Sequence, residues 1–332
     1  MDHFSLETQA RSIMSRALTE VGTPALAESS RVWPIKTAEN GKHGKIVLLA
    51  QTGRDQGYVL KYEPGLSVAD FRRVSDALAQ AQMAMASEAT YKVPQQFWNS
   101  EKERAHLLEY VPGPTAFDRL DYAPNPAQQR ADVLQDCGGW LAQFHKATQD
   151  HFGSNGQRNS SFSWMGRVAR NLAEQTRQGY LSPPSPRMFL GQCAMIHRLI
   201  RATEGHGALT ATLHGDPHLR NFIYGSQGLF AIDFTGRGQG PVELDAVRLM
   251  TRVAYRFETA PGSAGLGGIA ESDWDNLAIG YGRDLRDTPV LALCLAFQIL
   301  RDWSRQTEEG ARTKVRFKAM KHIFRSLREA GY

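Results

Sequence analysis

The sequence predicts an α+β chain in two parts, a small antiparallel sheet with one main helix followed by a larger, mostly helical region. Two observations carry this prediction. Up to about residue 110 the apolar residues fall in short runs typical of strands, whereas beyond that point they recur mainly at helical spacing. Pro112, Gly113 and Pro114 stand where one pattern gives way to the other, so the boundary is expected between residues 1–111 and 112–332.

The elements follow in order. An opening amphipathic helix leads to three strands, 31–36, 45–51 and 57–63, rich in Val, Ile, Leu and Tyr. The intervening TAENGKHG and TGRDQG carry the Asn and Gly of tight turns, which implies an antiparallel meander. Ser67 with Asp70 three residues later marks a helix start, and Phe71, Val74, Leu78 and Met85 share one face of a helix expected to run to about Ala89. Two extended segments, 91–100 and 104–115, complete the first part. Helices are then expected at 128–148, 189–205, 242–257 and 289–309, separated by loops at 153–161, 181–186 and 260–268. Within this helical half the polar stretch LHGDPHLRNF (213–222) is followed by two short strands, NFIYG and LFAIDF.

The composition fits a globular chain: 332 residues, 42% hydrophobic and 22% charged. The first thirty residues lack the basic start and apolar run of a signal peptide, and no apolar stretch is long enough to span a membrane. Cys137, Cys193 and Cys294 are scattered and odd in number, against a disulfide framework or a zinc site. The expectation is a cytoplasmic protein. The net charge of +5 sits at the end of the chain: seven Lys/Arg against one acid from Arg312 onward make +6 and leave −1 for residues 1–311. With Phe317, Met320, Phe324 and Leu327 at helical spacing, the tail reads as an amphipathic helix with a basic outer face. A nucleic-acid partner is not expected, and an acidic partner for that face is the lesser reading beside plain solvation.

Phosphoryl transfer from ATP needs a carboxylate to accept a hydroxyl proton, Mg²⁺ ligands, a cation on the phosphates and a hinge for adenine. Asp216 and Asn221 are five apart on one polar loop, and Asp233 follows at the end of LFAIDF. Hard oxygen donors of this kind suit Mg²⁺.

The pattern HGDPHLRN, AIDF and ELDAVRL resembles that of the aminoglycoside phosphotransferase and choline kinase family, small-molecule relatives of the protein kinases. LLEYVPG resembles that family's hinge, and GGWLAQFHKA the helix after it. The resemblance implies a bilobal protein kinase-like fold with ATP between the lobes. It also implies Asp216 as catalytic base, Asn221 and Asp233 as Mg²⁺ ligands, and Lys61 on the α- and β-phosphates. The Glu109 carbonyl and the Val111 N–H would meet the adenine edge, His218 would contact the γ-phosphate during transfer, and His214 and Asp245 would brace the loop.

Three features depart from the family pattern. The turn after the first strand has only two glycines, and Asp-Phe-Thr (233–235) replaces Asp-Phe-Gly. The helix offers no clear acid for Lys61: Asp76 points away from the apolar face, and Asp70 and Glu88 are oddly spaced. Two rivals remain open, a non-catalytic pseudokinase or ATP-binding scaffold and, more weakly, a metal hydrolase built on His214, Asp216 and His218. The expected acceptor is a small-molecule hydroxyl compound. A sugar or amino sugar ranks level with an aminoglycoside, because Arg220 puts positive charge into the loop while the acid excess of 271–287 is mild.

Overall fold

A computed structural model describes residues 3–22, 31–38, 44–51, 53, 56–121, 126–149, 157–158, 162–306 and 311–332. The chain divides into two compact units, residues 1–115 with 221–238, and residues 116–220 with 239–332.

The first unit is built on a five-stranded antiparallel sheet, order β1-β2-β3-β6-β5, from β1 (Arg31–Ala38), β2 (Lys45–Gln51), β3 (Gly57–Tyr62), β5 (Gln96–Ser100) and β6 (Ala105–Glu109). Side chains alternate across a strand, so the register sorts them into two faces. Ile46, Leu48, Ala50, Leu60, Tyr62, Ala105 and Leu107 form one core with Leu6, Ala10, Ile13, Met14, Ala17 and Leu18 of α1 (His3–Glu20). Lys61, paired with Val47 and His106 in the register, belongs to the opposite face. On that side Phe71 of α2 (Val68–Ala84) stacks on His106 at 4.4 Å. The Ser67 side chain accepts the Asp70 N–H and caps α2, as the sequence predicts, but the helix ends at Ala84 rather than near Ala89. A second small sheet, β4-β10-β9, joins β4 (Tyr91–Lys92) to the hairpin of β9 (Phe222–Gly225) and β10 (Gly228–Ala231). The turn between β1 and β2, residues 39–43, lies outside the described residues.

The second unit is mainly helical: α3 (Ala116–Asp121), α4 (Pro126–Thr148), α5 (Ser163–Arg177), α6 (Pro186–Ala202), α7 (Glu243–Ala254), α8 (Glu271–Tyr281), α9 (Pro289–Trp303) and α10 (Ala311–Glu329). Its small sheet, β11-β8-β7, pairs β7 (Gln157–Arg158) and β11 (Gln239–Pro241) with β8 (Ala208–Thr212). α9 is buried along nearly its whole length, as its apolar run requires. In α10 the face of Met320, Ile323, Phe324 and Leu327 is buried, and Lys318 on the outside bonds Glu258 at 2.8 Å. The three cysteines are buried and free. Among the described residues no helix is long and apolar enough to cross a membrane.

Candidate functional site

In the first unit β3 delivers Lys61 to the α2 side of the sheet, where its ammonium lies 3.1 Å from Asp233 Oδ1 and 3.2 Å from Glu63 Oε2. Burial alone would lower the Lys61 pKa, but the two carboxylates outweigh it and raise it. Lys61 in turn holds Asp233 well below the usual carboxylate range, despite its burial. The other oxygen of Glu63 lies 3.3 Å from Lys45 Nζ at the start of β2. Burial and the charge of Lys61 push His106 down to about 4, so at neutral pH it stands beside the lysine as an uncharged ring.

Asp233 follows β10 with φ +61°, a left-handed conformation that Asp tolerates better than most residues. The Ile232 N–H donates to the Asn221 carbonyl at 2.9 Å, tying the backbone at Asn221 to the residue before Asp233. Gly236 also has φ +61°, and a Cβ there would lie 2.5 Å from the Arg73 carbonyl oxygen of α2. The glycine missing from position 235 is supplied one residue later, where close approach to α2 demands it.

β6 ends at Glu109, whose N–H donates to Gln95 O at 2.8 Å and whose carboxylate accepts the Gln95 N–H at 3.0 Å. The Tyr110 N–H bonds Gly57 O, whereas the Val111 N–H has no hydrogen-bond partner among the described residues. Gly113, at φ +147°, admits the Tyr224 carbonyl to a place where a Cβ would lie only 2.0 Å from it.

In the second unit the loop after β8 is anchored from α7. Asp245 accepts the His214 N–H at 2.7 Å and the Gly215 N–H at 3.0 Å. It also lies 3.2 Å from His145 Nε2 and 3.3 Å from Arg248 Nη1. Burial would raise this carboxyl, but the His145 bond and the charge of Arg248 bring it down to about 2. The His214 ring accepts the Asp216 N–H at 3.3 Å, so the bracing runs from α7 to the backbone of Asp216. The Asp216 carbonyl accepts the His218 N–H, and the His218 ring turns back to accept the Arg220 N–H, with its other nitrogen 3.8 Å from the Asp216 carboxylate. Asp216 keeps 41% of its side chain exposed. Arg220 is exposed, with its guanidinium 3.7 Å above the Phe117 ring.

Thus Lys61 and Asp233 are brought into contact, with Asn221 tied behind Asp233. Asp216 and His218 share the braced loop, and Glu109 and Val111 end and follow β6. Sequence reasoning missed Glu63, Lys45, His145, Arg248 and Phe117. Glu63 had a signal, since residues i and i+2 of a strand share a face. Among the described residues no three His, Cys, Asp or Glu side chains are grouped to hold a metal.

The model of the phosphotransferase enzyme family matches residues 37–279. The chain belongs to that family. This supports a phosphotransferase acting on small molecules. Among solved structures, amicoumacin kinase hAmiN in complex with AMP-PNP, Ca²⁺ and Ami is 15% identical with a TM-score of 0.56, covering 96% of this chain and 95% of that one. The ADP-bound aminoglycoside phosphotransferase APH(2'')-Ib is 13% identical with a TM-score of 0.54, covering 92% and 97%. A choline/ethanolamine kinase family protein from Mesorhizobium loti is also 13% identical, with a TM-score of 0.54 and coverages of 95% and 99%. These similarities establish the kinase-like α+β fold of this phosphotransferase. Comparison with curated proteins returns no match.

Proposed function

We propose that this phosphotransferase moves the γ-phosphate of ATP to a hydroxyl of a small molecule, with Asp216 as the base. The observation that carries the reading is the 3.1 Å contact of Lys61 with Asp233, with the Asn221 carbonyl bonded to the N–H of Ile232 just before Asp233. Lys61, Asp233 and Asn221 belong to one unit of the chain, which supports their reading as a phosphate-directed cation and metal-directed donors.

The donors fit Mg²⁺ by their chemistry. Asp233 stays ionised, Asn221 adds an amide oxygen, and both are hard ligands that leave other positions for water and phosphate. Mg²⁺, when bound there, neutralises charge on the phosphate oxygens. Lys61 aims an ammonium at the α- and β-phosphates. The Asp216 carboxylate takes the acceptor's hydroxyl proton as that oxygen attacks the terminal phosphoryl group. His218, on the same loop, contacts that group during transfer. The Glu109 carbonyl and the Val111 N–H receive the adenine edge, a role for which the unbonded Val111 N–H is suited.

The acceptor is a sugar, an amino sugar or an aminoglycoside, choline-like amines ranking lower. The stacked guanidinium of Arg220, four residues after the proposed base, suits a neutral or anionic hydroxyl compound at least as well as a polycation. The test is ADP release from Mg–ATP against a panel of these alcohols, with Asp216→Ala lowering turnover by a factor on the order of 10² or more. A wild-type protein that binds no Mg–ATP by calorimetry overturns the reading. One that binds Mg–ATP but transfers phosphate to no acceptor leaves the ATP-binding scaffold.

A further inference from the structure

In protein kinases the strand lysine on the nucleotide phosphates is aimed by a glutamate from the neighbouring helix. Here α2 does not supply one. Its buried side is Phe71, Ala77, Leu78 and Ala81, and Phe71 stacks on His106, the residue opposite Lys61 in the β3–β6 ladder. Asp70 is engaged with Ser67 and Arg73 at the helix start, and Asp76 is exposed.

We infer that Glu63 is the positioning residue for Lys61, replacing the helix acid with a carboxylate from the lysine's own strand. The inference rests on the nucleotide role of Lys61 proposed above. Three observations carry it. Glu63 lies two residues beyond Lys61, and its N–H donates to Arg104 O at 3.0 Å, which extends the β3–β6 pairing and keeps its side chain on the face of Lys61. Its Oε2 meets Lys61 at 3.2 Å. Its Oε1 meets Lys45 at 3.3 Å, from the position one register step beyond the Ile46–Tyr62 pair, so both oxygens are held and the carboxylate cannot swing away. Glu63 and Lys61 are well covered, at 18% and 12% side-chain exposure, so this contact is far less screened than a surface ion pair.

The arrangement has a functional consequence. An acid on a helix aims the lysine only when the helix is in place, whereas Lys61 and Glu63 are set by one strand. The phosphate-binding cation is therefore preformed whatever the position of α2.

The test compares two ligands. Glu63→Gln keeps the shape and removes the charge, and Mg–AMP-PNP binding by calorimetry is expected to weaken about tenfold, the size of one lost charge-assisted contact. Adenosine, which has no phosphates, should bind this variant as it binds wild type by NMR titration. General damage to the fold would weaken both. Glu63→Asp, which retains the carboxylate, should recover most of the AMP-PNP affinity and carries the test should the Gln variant prove unstable. Asp76→Asn should match wild type with both ligands. If Glu63→Gln binds AMP-PNP as wild type does, or Asp76→Asn loses as much, the inference is overturned while the phosphotransferase reading stands. If wild type binds neither ligand, that reading falls and the inference with it.

Discussion

Replacing Asp245 by Asn tests whether the loop bearing Asp216, the proposed base, is held from α7. The carboxylate serves two backbone N–H groups, His145 and Arg248, and it is fully buried. Its folded pKa of about 2, against the ordinary 3.8, means that it contributes stability above pH 4 that is lost as the pH falls towards 2. The difference amounts to about 2 kcal/mol. Asn keeps one oxygen but not the charge, and it leaves Arg248 buried without its carboxylate, a loss of about 3–5 kcal/mol in comparable buried pairs. A destabilisation of about 3 kcal/mol is therefore expected at pH 7, read by urea denaturation with tryptophan fluorescence, since Trp140 lies edge-on to His214. Because the His214 ring bonds the Asp216 backbone, turnover at temperatures where the variant is folded should fall about tenfold or more. A variant within about 1 kcal/mol of wild type, with unchanged turnover, would refute the bracing argument.

Two further outcomes follow from neighbouring groups. Burial pushes Glu243, at the start of α7, up to about 7, and its Oε2 has no hydrogen-bond partner among the described residues. A raised pKa makes the protein lose stability as the pH climbs from about 4.5 through 7, because the unfolded chain has already released that proton. Glu243→Gln should therefore resemble wild type at pH 5 and exceed it by up to about 3 kcal/mol at pH 8.5 in denaturant melts, whereas parallel curves would show that Glu243 ionises normally. Arg220→Ala should raise the KM of anionic hydroxyl acceptors about tenfold and leave neutral ones little changed. A selective loss with cationic acceptors would instead exclude an anion-binding role.

The fold was legible where local pattern decides structure. The β1–β3 meander, the Ser67 cap and the buried α9 all follow from turn residues, a capping oxygen or an unbroken apolar run. β8 and β11 were not legible: Ala-Leu-Thr-Ala-Thr has no strand alternation, and Gln-Gly-Pro becomes a strand only because β8 pairs with it. α5 did carry a signal in Met165, Ala169 and Ala173, four residues apart, although its surroundings read as loop. The site divides the same way. Asp216, Asn221 and Asp233 announce themselves through spacing on one short stretch, whereas His145 and Arg248 matter only because α4 and α7 carry them to Asp245.

The missing helix acid and the Asp-Phe-Thr turn near Lys61 are each answered by a short-range device. Proximity along a strand needs no loop closure, so Glu63 reaches Lys61 at less entropic cost than a helix acid would. That frees the inner side of α2 for Phe71 and its stack on His106, apolar packing that a charged residue at that position would forfeit. What ties α2 to the turn after β10 is backbone contact at Gly236, where a side chain would drive Arg73 and Val74 away. The contact of α2 with that turn and the charge on Lys61 are thus separate devices in this protein, carried by a glycine and a strand glutamate.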